Sequence, residues 1–500
     1  MAQSRTYLAI DLGAESGRAI LGTLDGGRLS LSEAHRFGNG PVCLPDGLHW
    51  DVLRLWDEIK TGIALAVRKQ GRALESVGID TWGVDFGLLD RQGTLLSNPY
   101  HYRDSRTDGM MDGAFRRMSR RQIFELTGIQ FMQLNSLYQL LSMVESQSPV
   151  LDVAETFLTM PDLFNFWLTG QIACEFSNAT TTQCFDPRQR NWAEPLLTAM
   201  DIPRRIFPQV IPPGTVLGTM CQAVAKETGA DQVPVIAPAC HDTGSAVAAA
   251  PAKKADFCWI SSGTWSIMGT ELHEPVIDQD SLAFNFTNEG GVNNTFRFCK
   301  NIAGLWLVQE CRRTWARQGQ DHSYAELIGM AAQAPALQSV IDPDDGEFLK
   351  PGDVPERVRT FCQRTGQVAP ESKGGVVRCA LESIALKYRW VLEKLEHCTG
   401  HRLEPIHIVG GGTQNQLLNQ FTADATGRVV VTGPVEATAI GNILMQAVAL
   451  GHIGSLSEAR EMVSRSFATR LYEPGDCAGW DDAYDHLLRL IELSSQKETK

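Results

Sequence analysis

The stretch from residue 233 to 266 limits the fold most. It reads strand, sharp turn, short run of small residues, strand, and turn back into a further strand. Residues 233–237 (VPVIA) are apolar and β-branched, as in a buried strand. Pro238, Ala239, Cys240, His241 and Asp242 break it, and residues 243–250 are small enough for a short helix. Past Pro251 and two lysines, residues 257–261 form a second apolar strand, which Ser262, Gly263 and Thr264 turn back along 265–270. Strands and helices in alternation predict an α/β protein. Asp242 admits two readings. An acid at the lip of a strand can accept a proton while turn amides hold oxygen anions. An aspartate at a helix start is also an ordinary N-cap.

The rest of the chain must be built around this stretch. Its 500 residues exceed what one core can organise, so about two to four domains are expected. The 45 basic and 58 acidic residues leave a net charge of −13. That argues against nucleic acid or an anionic membrane as partner, since both need a concentrated basic face. No apolar run reaches the roughly 20 residues of a membrane span, and the N-terminus enters a strand too soon for a signal peptide. The 12 cysteines stand singly with no CxxC, as reduced core residues do. Cys362 and Cys379 are near enough in sequence to pair, and sequence does not decide it. The expectation is a cytoplasmic protein, acting as a monomer or small homo-oligomer.

Residues 7–11, 18–24 and 29–35 predict a three-stranded antiparallel meander. Its first turn, from Leu12 to Gly17, has an acid, Asp11, at the strand end and glycines that let a phosphate approach the backbone. A plain hairpin explains it equally. Residues 51–69 have helical spacing at Val52, Leu55, Trp56, Ile59, Ile63 and Val67. Residues 76–90 (SVGIDTWGVDFGLLD) predict a hairpin with Asp80, Thr81, Trp82 and Asp85 crowded at one edge. Such an edge suits a sugar, with carboxylates for hydroxyls and a ring for a C–H face, or it is a hairpin with a core tryptophan. Residues 110–230 are mostly helical, including an apolar helix ending on Gly170. The segment 178–183 (NATTTQ) is read first as a surface loop and second as the edge of a cleft.

Residues 257–270 repeat the strand–turn–strand theme of the N-terminus some 250 residues later, which suggests two related lobes. Residues 300–310 predict a helix with a polar N-terminus and Gln309 two turns in. Residues 376–395 predict an amphipathic helix. Residues 405–412 (PIHIVGGG) run a strand into three glycines and a helix start, a nucleotide-type turn. It lacks the last glycine of the dinucleotide fingerprint, and there is no GxxxxGK[ST]. Glycine-marked turns at strand ends, two lobes and one exposed acid favour phosphoryl transfer, which demands positioning and charge neutralisation. No GxSxG elbow supports a hydrolase.

The combination of AIDLGAESGR, YRDSRT, MPDLFNFWLTG, SNATTTQ, HDTGSA, SSGTWSIMG, KNIAGLWLVQE, HIVGGGTQNQLLNQ and GPVEATAIGN resembles the FGGY carbohydrate kinases over residues 5 to about 455. The resemblance implies a two-lobed actin-like (ribonuclease H-like) α/β fold with the active site in the inter-lobe cleft. Residues 1–246 would form the N-terminal lobe, 247–455 the C-terminal lobe, and 456–500 a helical tail packing back on the N-terminal lobe. It implies ATP-dependent phosphorylation of L-rhamnulose at its C1 hydroxyl with Mg²⁺. Other ketoses (L-fuculose, L-ribulose, D-xylulose) are the alternatives, and a non-catalytic sugar sensor is a remote one. By motif, Asp242 would be the base, with Gly83, His241, Thr243 and Asn301 at the sugar. Ala14, Glu15, Ser16, Gly17 and Arg18 would grip ATP from the first lobe. Thr264, Gln309 and Gly411 would do so from the second, and Asp11 would orient Mg²⁺, directly or through water.

Overall fold

The computed structural model describes residues 4–71, 74–348, 350–475 and 477–498. They form two compact units. The first takes the chain up to 253 together with 271–298 and 436–467, and the second takes 254–270, 299–435 and the chain from 468. These boundaries are not the contiguous ones expected at 246 and 455.

In the first unit a six-stranded sheet runs in the order Arg28–Gly38, Ser16–Asp25, Arg5–Leu12, Val77–Thr81, Pro234–Ala237, Thr215–Thr219. The first three strands are the expected antiparallel meander, the next two are parallel to Arg5–Leu12, and the last is antiparallel. Side chains alternate across such a sheet, and helices cover both faces. Val52–Gln70 packs on one, burying Val52, Leu55, Ile59, Ile63 and Ala66. It comes so close that a Cβ on its Gly62 would lie 2.8 Å from that of Ala19. Ala437–Ala449 packs on the other, with Ile443 filling the space that Gly22 leaves. This helix is distant in sequence yet packs on the central strands Arg5–Leu12 and Val77–Thr81, and that carries residues 436–467 into the first unit.

The second unit repeats the plan. Among the described residues its strands belong to a seven-stranded sheet that runs Thr287–Gly290, Phe296–Ala303, Trp265–Leu272, Cys258–Ser262, Ile406–Val409, Val430–Thr432, Arg470–Tyr472. Trp265–Leu272 is antiparallel to Cys258–Ser262, the next two strands are parallel to it, and the last is antiparallel. The 27-residue helix Lys373–Thr399 is buried at every position from Cys379 to Tyr388, so it is a central helix and not the expected amphipathic one. Tyr324–Gln333, Gln416–Thr426 and the last helix, Trp480–Glu498, all pack against it. The expected tail therefore divides, its first helix (Leu456–Ser466) lying in the first unit and its last in the second. Cys362 and Cys379 are both unbridged thiols.

Three local expectations change. Val77–Thr81 and Phe86–Leu89 are not a hairpin, because the former sits mid-sheet and the latter pairs with Thr156–Thr159. The 178–183 segment is buried throughout, not a surface loop. Residues 300–303 end a strand, and the helix begins at Trp306, which puts Gln309 in its first turn.

Candidate active site

In the first unit three neighbouring parallel strands end together, and carboxylates stand at or just past their C-terminal ends, the usual site in an α/β sheet. Asp11 and Asp80 are register partners on adjacent strands and so share a face. Thr81 bridges to His241, which places Asp242 beside them in the chain. Arg18 donates to Asp11 from Nε at 2.9 Å and pairs with it through a terminal nitrogen at 2.8 Å. The guanidinium also reaches Glu436 at 3.1 Å. Asn442 donates to Asp80 at 2.6 Å. Burial pushes the Asp11 carboxyl up; Arg18 pulls it back, and Asp242 and Glu436 push with the burial. Burial, then Asp11, hold Asp80 well above the usual carboxylate range. Asp11, Asp80 and Asp242 thus stand close enough to repel one another, and Arg18 offsets part of that repulsion.

Asp242 is the first residue of the helix Asp242–Ala248, and His241 occupies the cap position without a side-chain cap. The N-cap reading of Asp242 therefore falls. Its Oδ1 accepts from the Thr243 amide at 2.5 Å and the Thr243 hydroxyl at 3.0 Å. The side chain is 30% exposed while its neighbours are buried, so this carboxylate can meet a ligand. His241 leads inward from it. Its Nε2 lies 3.4 Å from Asp242, and its Nδ1 accepts from fully buried Arg297 at 3.0 Å. Arg297 pairs with Glu289 at 3.1 Å. Burial pushes Glu289 up, but Arg297 and His241 together outweigh it and hold the carboxyl low. Nδ1 of His241 also lies 3.3 Å from Glu289, so the Arg297–Glu289 pair fixes the inner edge of the imidazole. Glu289 and Arg297 were not singled out from the sequence, where a buried ion pair looks like any other two charges.

The turn carrying Gly83 is strained. Val84 has φ of 68°, and Asp85 N donates to Gly83 O at 2.9 Å. This is the rare γ-turn with positive φ, costly for a β-branched residue. Such strain persists only where the surroundings over-determine it. Here Thr181 Oγ1 accepts from Val84 N at 3.1 Å, and the Ser136 hydroxyl donates to Val84 O. A Cβ on Gly83 would lie 3.0 Å from Thr181. The next residue, Asp85, accepts from Trp50 at 2.6 Å, Trp82 at 3.0 Å, Gln139 at 2.8 Å and the Tyr102 amide at 3.2 Å. Trp50 lies against Trp82 and His101 with ring centroids 4.0 and 4.2 Å apart. Asp85, Trp50, Trp82 and His101 are all buried, so this cluster braces the turn from beneath and is not the open sugar edge that the sequence offered as one reading.

In the turn from Leu12 to Gly17, Asn39 closes the backbone by donating to Gly13 O at 2.8 Å and to Glu15 O at 2.9 Å. Glu15 is exposed, Ala14 and Ser16 are partly so, and Gly17 is packed under the Phe37 ring. Arg18 is committed to Asp11 and Glu436, so of the five expected nucleotide contacts Gly17 and Arg18 have structural partners already.

In the second unit Thr264 and Gln309 come together, with Gln309 Nε2 donating to Thr264 Oγ1 at 3.1 Å. Gln309 Oε1 is buried without a hydrogen-bond partner among the described residues, which leaves an acceptor for a ligand. Gly410 has φ of 86°, and a Cβ on Gly412 would lie 2.0 Å from Ser262 Oγ. Both glycines are required by that close approach. Gly411 between them has open space where a side chain would go. Asn301 lies on the strand Phe296–Ala303, beside Trp265–Leu272 in the sheet order and not on a helix.

Among the described residues no cluster of three His, Cys, Asp or Glu side chains could hold a metal alone. One Asp11 oxygen is occupied by Arg18, while Asp80 Oδ1 is buried with no hydrogen-bond partner among the described residues. That fits an ion held mainly by water and phosphate oxygens, as Mg²⁺ prefers.

Two α/β units of like sheet order, each with its functional turns at the ends of central strands, define a two-domain sugar-kinase fold. The chain superposes on gluconate kinase from Lactobacillus acidophilus with a TM-score of 0.80, covering 99% of this chain and 98% of that one at 17% identity. It belongs to the FGGY family of carbohydrate kinases, whose N-terminal domain matches residues 6–249 and whose C-terminal domain matches 258–450. A rhamnulokinase from Bacteroides thetaiotaomicron is 44% identical over 487 residues, 97% of this chain and 99% of that protein. One from Oceanobacillus iheyensis is 40% identical over 465 residues, 93% and 97% of the two chains. The protein is a sugar kinase with ATP as its co-substrate. No helix among the described residues is long and apolar enough to cross a membrane.

Proposed function

We propose that the chain transfers the γ-phosphoryl group of ATP to the C1 hydroxyl of L-rhamnulose, giving L-rhamnulose 1-phosphate and ADP. The observation that carries this reading is the 44% identity to a rhamnulokinase across nearly the whole of both chains. Asp242 is the base. Its carboxylate orients the hydroxyl and takes the proton as the new P–O bond forms and the bond to the ADP oxygen breaks, a contribution of roughly 10² to 10⁴ in rate. His241 and Thr243 hold Asp242 and the sugar. Gly83, in its strained turn, and Asn301 complete the sugar contacts. Thr264, Gln309 and Gly411 bind the nucleotide, together with the backbone of Ala14, Glu15 and Ser16. Asp11, with Asp80 beside it, would hold Mg²⁺ through water, and the bound ion neutralises phosphate charge. The reaction belongs in the cytoplasm, where ATP is made available.

Replacing Asp242 by Asn keeps the shape and removes the proton acceptor. Turnover should fall at least a hundredfold with ATP affinity nearly intact. A variant keeping more than about a tenth of the wild-type kcat would reject Asp242 as base. A coupled ADP-release assay over L-rhamnulose, L-fuculose, L-ribulose and D-xylulose checks the substrate. The highest kcat/KM on any sugar but the first would replace it.

A further inference from the structure

Asp242 reaches the sugar only if the turn before it is held still, and that turn has no regular secondary structure. Residues 238–240 lie between the strand Pro234–Ala237 and the bridge at His241. Two backbone N–H groups of this connection point inward, those of Cys240 and His241, and both find side-chain acceptors on one short segment. Glu175 accepts from Cys240 N at 2.9 Å. Ser177 Oγ accepts from His241 N at 3.0 Å, and the same hydroxyl donates back to Glu175 at 2.5 Å. Glu175 also accepts from the amides of Ser177 at 2.9 Å and Asn178 at 3.3 Å. Glu175 and Ser177 are completely buried.

We propose that Glu175 and Ser177 are positioning residues for the phosphoryl transfer: together they clamp the Cys240–His241 backbone and thereby aim the Asp242 carboxylate. This rests on the reading of Asp242 as base. A carboxylate has about four acceptor positions, and Glu175 fills them with four donors, two of them on or tied to the catalytic turn. Burying an ionised carboxyl without a cation is costly, and no arginine or lysine is among its hydrogen-bond partners. A purely structural role would be met more cheaply by a neutral acceptor. The ionised form is needed because its two oxygens accept from both directions with no donor of their own. A displacement of about 1 Å in a catalytic group can cost 10²-fold in rate, and the clamp holds the residue directly before Asp242.

The clamp also has an acid limit. Burial pushes Glu175 up to about 7, against the pull of the Ser177, Cys240 and Asn178 hydrogen bonds. The titratable groups around it are Asp162, whose Oδ1 accepts from Glu175 N at 3.1 Å, with Cys174 on its own strand, and Cys240 and His241 on the turn. Asp162 is pushed up to about 8 by burial, Glu175 adding to the rise, and both cysteine thiols are held well above their usual range by burial. Protonating Glu175 puts a donor where the turn needs an acceptor and releases the Cys240 amide.

The test is steady-state kinetics with the full chain, ATP and L-rhamnulose, for Ser177→Ala, Glu175→Gln and Asp242→Asn. Ser177→Ala removes the His241 contact and one bond that favours ionised Glu175. Its kcat should fall about ten- to a hundredfold with the KM for ATP within about twofold. The acid limb of its kcat profile should move to higher pH. A residue that merely supports the fold would lower the melting temperature without moving that limb. Glu175→Gln should lose at least as much kcat and lose the limb. If Glu175→Gln fails to fold, Ser177→Ala decides alone. Wild-type kcat and an unmoved limb in Ser177→Ala overturn the clamp while Asp242→Asn is inactive. An active Asp242→Asn overturns the base itself.

Discussion

Asp85 shows how much one buried carboxylate can organise. Three of its four hydrogen bonds fall on a single oxygen, from two tryptophan rings and a backbone amide. Burial pushes its pKa from 3.8 up to about 6, and the Gln139, Trp50 and Trp82 bonds pull it part of the way back. Below about pH 3 the group is protonated in folded and unfolded chains alike, and the fold keeps the full benefit of its neutral form. As pH rises through 6 the unfolded chain ionises first, and that benefit is lost. The loss at pH 7 is ~3 kcal/mol, about two pKa units. Asp85→Asn does not titrate. From pH 4 to pH 7 the stability of the variant relative to wild type should therefore rise by about that amount, measured by urea unfolding at both values. A gap that does not change with pH would refute it. From sequence, Asp80 and Asp85 are visible as acids at a strand edge, and Asp242 as an acid after a strand. Their surroundings are not, because Trp50 and Gln139 reach Asp85, Asn442 reaches Asp80, and Arg297 reaches His241 beside Asp242, all from far along the chain. The strained Val84 is also unreadable, since valine is a residue no turn rule would place at positive φ.

Elements were legible where their signal is local. The meander Arg5–Leu12, Ser16–Asp25, Arg28–Gly38 follows from alternating apolar residues and an Asp-Gly-Gly turn, and Met160–Thr169 from its apolar run and Gly170. Errors came where tertiary pairing overrides adjacency. Val77–Thr81 has two strand neighbours from elsewhere and so cannot fold back on Phe86–Leu89. Lys373–Thr399 is enclosed on all sides from Cys379 to Tyr388, so periodicity there says little about which face is buried. Packing between elements sets a contrast that glycine replacement can measure. A Cβ on Gly441, in Ala437–Ala449, would lie 1.8 Å from Ser245 O in the helix that begins at Asp242. Gly441→Ala must force these helices apart, at a cost of about 1–3 kcal/mol. It should also lower kcat, since Asp242 is on the helix displaced. Gly329, inside the helix Tyr324–Gln333, has nothing within 4 Å of where its Cβ would go. Gly329→Ala should stabilise by about 0.5–1 kcal/mol through helix propensity alone. Denaturation midpoints shifted in the same direction for both would contradict the packing described.

Across the whole molecule, two related halves are legible in the sequence because the strand–turn–strand theme recurs, but the halves are not contiguous segments. The chain crosses between the units five times, near residues 253, 270, 298, 435 and 467. A fragment ending at 253 would carry all six strands of the first sheet and still lack the helix Ala437–Ala449 that packs on its central strands. Without Ala437–Ala449, the hollow at Gly22 loses Ile443. Asp80 loses the Asn442 amide, and Ser76 loses its 2.7 Å bond to Gln446. The Leu8 carbonyl loses the 3.0 Å bond from the same glutamine. Removing 271–298 takes Arg297 and Glu289 from His241. Each polar group stripped of its partner while still buried costs about 1–3 kcal/mol, and total stabilities are only about 5–15 kcal/mol. The fragment should therefore bind a hydrophobic dye, lack near-ultraviolet dichroism and melt without a cooperative transition. Adding residues 271–298 and 436–467 through flexible linkers should restore a sharp transition. A fragment that unfolds cooperatively by itself would mean that the distant helix is a lid on a finished domain and not a wall of its core.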